Sequence, residues 1–461
     1  MNTLALALRN LLRNRRRSLT TLLAVMLGAI SILLFGGYVR NVVYGLETGF
    51  VMQSGHLQIQ HADFFRYGSG NPAAYGIANY RDIIDKLKND PDLAPKLAVV
   101  TPTLQIGGLA GNFAAGVSRT VIGQGIEVAE QNKLLHWNDY AFPLNEPELA
   151  LTGTAQDSTV IGTGVARVLQ LCTQLKVTDC SQKTVKTAAS LTSEPDDIAA
   201  LAGQDNPVHS SSPTQIELLA PSPHGAPNVV QLNVVKAEQQ PVKELDDIYV
   251  ALHLAQAQKL IYGKSTPEVT AILVQLKHTA DLSFARERIE QILSKEFSKQ
   301  PLAVLDFATI NPFYTQTINM FNVIFGFISI LIGAIVLFML GNTMSMTVVE
   351  RTVEIGTLRS IGLRRDGIRR LFICEGLLLG LIGAGLGVVC SIVISSVINH
   401  SGLTWIPPGR MLPVPLTVRV WGEVPLIAGS TIGLMLVATL SAWWPARHAS
   451  QLNIVEALRH V

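Results

Sequence analysis

Four long stretches of the chain, 19–38, 321–346, 376–398 and 424–444, contain no Asp, Glu, Lys or Arg. A helix of about 20 residues rises about 30 Å, the depth of a bilayer's hydrocarbon core, so each stretch predicts a membrane-spanning helix. Residues 1–18 carry Arg9, Arg13, Arg15, Arg16 and Arg17 and no acid, which places the N-terminus in the cytoplasm. Four crossings bring the C-terminus back to that side, and the arginine-rich loop after the second stretch falls there as well. The first stretch reads as an uncleaved anchor. It is long for the apolar part of a signal peptide, and Phe35-Gly36-Gly37-Tyr38 is a poor small-x-small cleavage site.

The apolar pattern outlasts the membrane at two places. Val39, Val42, Val43, Leu46 and Phe50 keep helical spacing beyond the first stretch. Asn311-Pro312 reads as N-cap and first helical residue of a helix whose Phe313, Thr317, Met320, Phe321 and Ile324 share one face into the second stretch. These segments read equally as stalks that carry movement or as plain helical linkers. Between them the period shifts toward two. Strands are predicted at 55–60, 117–122, 159–161, 215–220, 229–236, 270–276 and 304–307, and helices at 80–89, 164–171, 252–261 and 281–297. In the last helix Leu282, Ala285, Ile289, Ile292 and Leu293 form one stripe behind an Asp281 cap. Residues 191–213, rich in Ser, Pro, Asp and Gly, read as a flexible insertion. The expected fold is a membrane protein of four transmembrane helices, with a large α+β extracytoplasmic domain, of one or two subdomains, inserted between helices 1 and 2. Its parts are residues 1–39 (N-terminus and first span), 40–317 (outer domain with stalks) and 318–461 (remaining spans).

Composition agrees with this mixture. The 461 residues are 48% hydrophobic and only 15% charged, with mean hydropathy +0.32, too apolar for an ordinary soluble chain. A net charge of +2 leaves no nucleic-acid footprint. Every lysine lies between Lys86 and Lys299, whereas the flanking regions use arginine alone, so the domain boundary is also written in composition. Cys172 and Cys180 lie in the polar section, where a disulfide between them is possible if that section is extracytoplasmic; Cys374 and Cys390 read as small hydrophobes.

The short charged segment 350–370 is pinned at both ends by apolar stretches. Val349, Val353, Leu358 and Ile361 recur at helical spacing, with Glu350, Arg351, Glu354 and Arg359 elsewhere around the turn and Gly362 as the stop. Acids and bases together suit docking to a protein partner better than lipid contact. A loop that merely fixes topology satisfies the same residues.

The run Glu350-Arg351, Glu354-Ile355-Gly356, Leu358-Arg359, Gly362, then Glu375-Gly376 and Gly380, Gly383 and Gly387, resembles the permease signature of the FtsX/MacB/LolC–LolE family of ABC transporters. The resemblance implies that this segment is the coupling helix seated in a groove of a separate ATPase subunit. It further implies two ATPase copies, a second copy of the chain or a related permease, and a MacB-like outer domain. Residues 55–64, GHLQIQHADF, resemble the lipoprotein-releasing, LolE-like branch, and 160–171 the strand and helix that open the family's outer domain, where a Cys-containing insertion follows in place of a short strand. The tail 452–461 resembles the closing helix, with Asn453-Ile454 where a Pro is usual. Gly376, Gly380 and Ala384, and again Gly383 and Gly387, are spaced four apart and predict close helix packing, within the chain or across a dimer.

No engine is visible. Gly263-Lys264-Ser265 has Gln258 where a phosphate loop needs its first glycine, so no cofactor is expected in this chain, and ATP and Mg2+ would be bound by the partner. His56 and His61 are a poor metal pair, and no metal site is expected. The spans lack charge, with Glu375 at the edge beside Arg369 and Arg370, which argues against a hydrophilic channel. The expected protein is a non-enzymatic, multi-pass permease of the bacterial inner membrane that extracts or exports lipoproteins or other amphipathic cargo, in contact with membrane lipids and, in one reading, with lipoprotein cargo or a periplasmic adaptor. The alternatives are MacB-like tripartite efflux of a peptide, toxin or drug, and an FtsX-like regulator of a cell-wall hydrolase.

Overall fold

The structure, a computed structural model, describes residues 3–13, 15–68, 70–142, 148–178, 180, 214–223, 226–406 and 413–452. The predicted insertion 191–213, and all but Leu452 of the predicted closing helix, lie outside them. The principal helices in chain order are α1 (Thr3–Arg13), α2 (Arg15–Ser54), α3 (Tyr80–Lys88), α4 (Val128–Leu135), α5 (Thr163–Val168), α6 (Leu254–Tyr262), α7 (Leu282–Glu296), α8 (Pro312–Glu350), α9 (Thr352–Ser360), α10 (Arg365–His400) and α11 (Val424–Gln451). Of these, α2, α8, α10 and α11 are long and apolar enough to cross a membrane. The described residues form two compact units: a helical one of Met1–Leu46, Phe313–Trp405 and Val414–Val461, and a sheet-containing one of Glu47–Pro312 and Ile406–Pro413.

In the helical unit α10 is the centre of packing, and its small residues explain why. A Cβ at Gly376 would lie 2.6 Å from that of Ala442, and one at Gly380 2.8 Å from that of Ala438, so this stripe admits α11. On the next stripe a Cβ at Gly383 would lie 2.7 Å from that of Val25, and one at Gly387 2.4 Å from that of Ala29, so that face admits α2. Ala384 is fully buried beside them. Both stripes therefore serve neighbours within the chain. Close approach of backbones is what gains dispersion energy where lipid supplies no hydrophobic drive.

The sheet unit is built on one nine-stranded system, in the order β3-β7-β4-β6-β5-β2-β8-β1-β9. Its strands are β1 (Leu57–His61), β2 (Leu97–Asn112), β3 (Val117–Ile126), β4 (Ser158–Gly162), β5 (Gln215–Pro221), β6 (Pro227–Glu238), β7 (Tyr249–His253), β8 (Ala271–Leu276) and β9 (Leu302–Asp306). The long β2 belongs to two arrangements. Its first half pairs with β8, while its second half pairs with β3 on one side and β5 on the other, which closes a ring β2-β3-β7-β4-β6-β5. Sequence periodicity misses β2 because Pro102, Gly107, Gly108 and Gly111 interrupt it. Pro102 pairs with β8 just before the β3 ladder begins, where β2 is locally an edge. A Cβ at Gly108 would lie 2.4 Å from the Leu219 carbonyl oxygen, so glycine is needed where β5 approaches. The expected helix 252–261 begins two residues late because β7 occupies its start. Cys172 and Cys180 are disulfide-bonded, with Cα atoms 6.1 Å apart.

His56 sits in this unit's core. It is fully buried, its Nδ1 accepts the Leu276 N–H at 3.0 Å, its Nε2 lies 3.1 Å from Thr279 Oγ1, and its ring meets the edge of Trp137 at 4.9 Å. Nδ1 as acceptor requires the neutral imidazole. Burial pushes the His56 pKa down to about 4, with Asp139 pulling the other way. The unfolded chain therefore binds a proton that the folded unit resists. Stability from neutral His56 is complete above about pH 6.5 and is lost as pH falls through about 4, a difference of about 3 kcal/mol. Thermal unfolding followed by tryptophan fluorescence should show Tm falling across this window in the full-length protein, and His56→Gln should flatten the decline. An unchanged slope in the variant would contradict this role.

Candidate functional site

The site is assembled at one end of the helical unit by a near-continuous path of helix. α8 ends at Glu350, Arg351 forms the joint, and α9 begins at Thr352, with Arg351 N–H donating back to Thr347 and its carbonyl accepting from Ile355 N–H at 2.9 Å. The stop is a full C-cap. Gly362 has φ +104°, its N–H donates to the Arg359 carbonyl, and the Leu363 N–H reaches the Leu358 carbonyl at 3.1 Å. This six-to-one bond with glycine in the positive-φ position is a Schellman motif, and its companion contact is present, since Leu358 and Leu363 pack on the same cluster.

The packed face of α9 is short. Ile355 and Gly356 are buried, and Ile355 joins Val348, Ile368, Phe372, Ala446 and Ala449 in a small core that ties the segment to α8, α10 and α11. Val349, Val353 and Ile361, which recur at helical spacing with Leu358, are 67%, 46% and 79% exposed. Three of the four residues whose spacing is helical thus lie on the outer side. Ile355, one residue among charged neighbours, carries the packing, and a 3.6-residue period over so short a helix is too weak a signal to choose between faces.

The charged residues form a linked network. Arg351, almost fully buried, donates from Nε to Glu354 Oε2 at 2.9 Å and from Nη1 to Glu375 Oε1 at 3.2 Å. Glu375 is 2% exposed and also accepts from Asn10 Nδ2 at 2.7 Å. Arg13 reaches Glu354 at 2.5 Å, Arg17 grips both oxygens of Glu350, and Arg359 donates to the Leu452 carbonyl. Partial burial raises the Glu354 pKa, and the hydrogen bonds and charges of Arg351 and Arg13 outweigh it, so its carboxyl titrates below the ordinary carboxylate value. Beside the pair lies a cavity of about 30 Å³, room for one water, bounded by Asn10, Thr21, Thr343, Thr347, Arg351 and Glu375.

All eight expected coupling-segment residues thus fall in this segment: Glu350, Arg351, Glu354 and Arg359 in polar links, Ile355 and Gly356 in the packed face, and Leu358 and Gly362 in the cap. Gly376, Gly380, Gly383, Ala384 and Gly387 act along α10 as helix spacers. The position of Glu375 beside Arg369 and Arg370 in sequence is misleading, since its cation is Arg351. Asn10, Arg13 and Arg17 were missed. Their spacing of three and four is the one available signal, and it runs from α1, which carries Asn10 and Arg13, into α2, which carries Arg17.

The buried pair and the exposed one differ in a measurable way. Glu375→Leu leaves Arg351 short of a buried partner and should lower stability by about 3 kcal/mol. Arg13→Ala removes a bridge whose arginine is 57% exposed and should cost less than about 1 kcal/mol. Thermal unfolding in detergent by circular dichroism compares them; equal losses would contradict the ranking.

Residues 324–454 match the family described as FtsX-like permease C-terminal. An ABC transporter permease of Methanocaldococcus jannaschii is 29% identical over 232 residues, covering 50% of this chain and 55% of that protein. The lipoprotein-releasing system transmembrane protein LolC of Neisseria meningitidis is 29% identical over 243 residues, covering 51% and 56%. The chain thus spans a little over half the length of these two relatives. The crystal structure of the periplasmic region of MacB from Actinobacillus actinomycetemcomitans aligns with 58% of the chain and 95% of its own length at 12% identity, with a TM-score of 0.31. Equal identity to LolC and to the archaeal permease does not single out the LolE-like branch. The FtsX-like permease match, residues 324–454, thus contains the whole clamped segment.

Proposed function

We propose that the chain is the permease subunit of an ATP-driven, mechanotransmission ABC transporter of the bacterial inner membrane, with both termini and α9 in the cytoplasm. A separate ATPase dimer would bind ATP and Mg2+ and dock on α9, and a second copy of the chain or a related permease would complete the assembly. The observation that carries this reading is the two-sidedness of α9. One face is locked to the chain's own spans by Ile355 and the Arg351 network, and the other presents Val353, with Val349 and Ile361 at its ends, as exposed apolar side chains flanked by charge. A helix held rigidly on one side and unpaired on the other suits a lever pushed by a partner. A purely topological loop needs neither.

The transported class is a finer step of the same proposal. The charge-free spans favour passing movement outward over conducting a polar solute, and the sheet unit is large enough to handle lipoproteins or other amphipathic cargo itself. Val353→Asp combined with Ile361→Glu places charge on the exposed face without touching the packed one. The tagged double variant should fold as the parent does and lose the ATPase that co-purifies with the parent from mild detergent. Full retention of the ATPase would overturn the docking assignment.

A further inference from the structure

The short α1 has two unlike sides. On the inner one Ala7 and Asn10 are buried, Asn10 against Glu375, and Leu11 packs on the cluster that holds Val25, Met344 and Leu379. Those three residues lie inside uncharged stretches, near their arginine-rich ends, so α1 sits at the level where the spans begin. It does not continue the axis of α2. Ser18 Oγ donates to the Leu11 carbonyl at 3.0 Å, seven residues back, whereas in a straight helix a serine hydroxyl reaches a carbonyl three or four back. The chain therefore bends after Arg13, and Arg15 Nε closes the bend by donating to the Leu12 carbonyl at 3.3 Å.

The outer side combines apolar and basic groups. Leu8 is 44% and Leu12 61% exposed, one turn apart, and Arg9 and Arg16 are exposed beside them. Arg13 and Arg17 are engaged by Glu354 and Glu350, whereas Arg9 and Arg16 make no ion pair among the described residues. Beyond the bend Leu19, Leu23 and Leu27 are exposed at successive turns of α2. Arg16 lies one turn before Leu19, so the exposed leucines of α1 and those of the span are joined by a cation. Residues 1–18 contain no acid, in contrast to α9, whose mixed charge suits a protein partner. Leucine with arginine and no carboxylate is the pattern of a helix lying in the headgroup layer, where each basic residue gains from anionic lipid.

We propose that α1 is an interfacial helix that binds the anionic phospholipid headgroups of the cytoplasmic leaflet, with Arg9 and Arg16 as their cations and Leu8 and Leu12 dipping toward the acyl chains. The inference rests on the reading of α2 as a span whose arginine-rich end is cytoplasmic, and it does not depend on transport. A chain that binds no ATPase would still seat α1 in the bilayer, so the two readings fail separately.

The full-length protein in nanodiscs of phosphatidylcholine, with and without added phosphatidylglycerol, tests it by amide hydrogen exchange. Residues 4–13 should exchange roughly tenfold more slowly when phosphatidylglycerol is present, and the difference should shrink as salt is raised. Arg9→Gln combined with Arg16→Gln should abolish the difference. Arg447→Gln, which removes an exposed arginine of α11 from the same end of the helical unit, should preserve it. Equal exchange of the parent in the two bilayers would overturn the proposal without recourse to any variant, and so would a phosphatidylglycerol effect that survives in the double variant. Protection of α1 by the co-purifying ATPase in phosphatidylcholine, with none from phosphatidylglycerol, would make this face a protein-docking surface and would equally overturn it.

Discussion

The buried pair of Arg351 and Glu375 is the constraint on which the helical unit turns. A charge taken out of water costs several kcal/mol unless its partners are placed well, and here each ion has two: Arg351 has Glu375 and Glu354, and Glu375 has Arg351 and Asn10. Satisfying them draws four elements to one point. Asn10 comes from α1, Arg351 from the joint after α8, Glu354 from α9 and Glu375 from α10. A purely apolar contact there would tolerate sliding, because hydrophobic attraction has no direction. A hydrogen-bonded ion pair fixes both position and angle.

That rigidity gives the exposed side of α9 its meaning. The segment between two spans could have been a loose turn, yet it has a single-residue joint at one end, a Schellman cap at the other and Ile355 seated in a core shared by three long helices. A push on Val353 or Ile361 would therefore be delivered to α8, α10 and α11 together. The glycines of α10 extend the same logic along the bilayer, since each removes the side chain that would hold α11 or α2 at a distance.

Much of this was legible in the sequence, for reasons that differ by element. The four spans were plain because an absence of charge over some twenty residues has few other causes. Strands such as β4 and β5 were legible from β-branched residues, whereas β2 was hidden by Pro102 and its glycines, which look like breaks unless one knows that β5 must pass within contact of Gly108. The glycine stripes announced close packing, but which helix they admit depends on tertiary arrangement. The segment 350–362 stood out by its pattern and its resemblance. Its buried face could not, because the choice rests on Ile355 finding Phe372 and Ala446, residues distant in sequence. The Glu375 partner was not legible for the same reason: sequence neighbours Arg369 and Arg370 were visible, and Arg351 across the bundle was not.

The central claim is that one face of α9 is committed to the chain and the other to an ATPase. Hydrogen exchange of the full-length protein in lipid nanodiscs, alone and with the co-purifying ATPase, measures this directly. The account predicts slow exchange around Ile355 in both states and added protection around Val353 and Ile361 only when the ATPase is bound. Rapid exchange throughout 352–360 in the free protein, or no change there on binding, would contradict it.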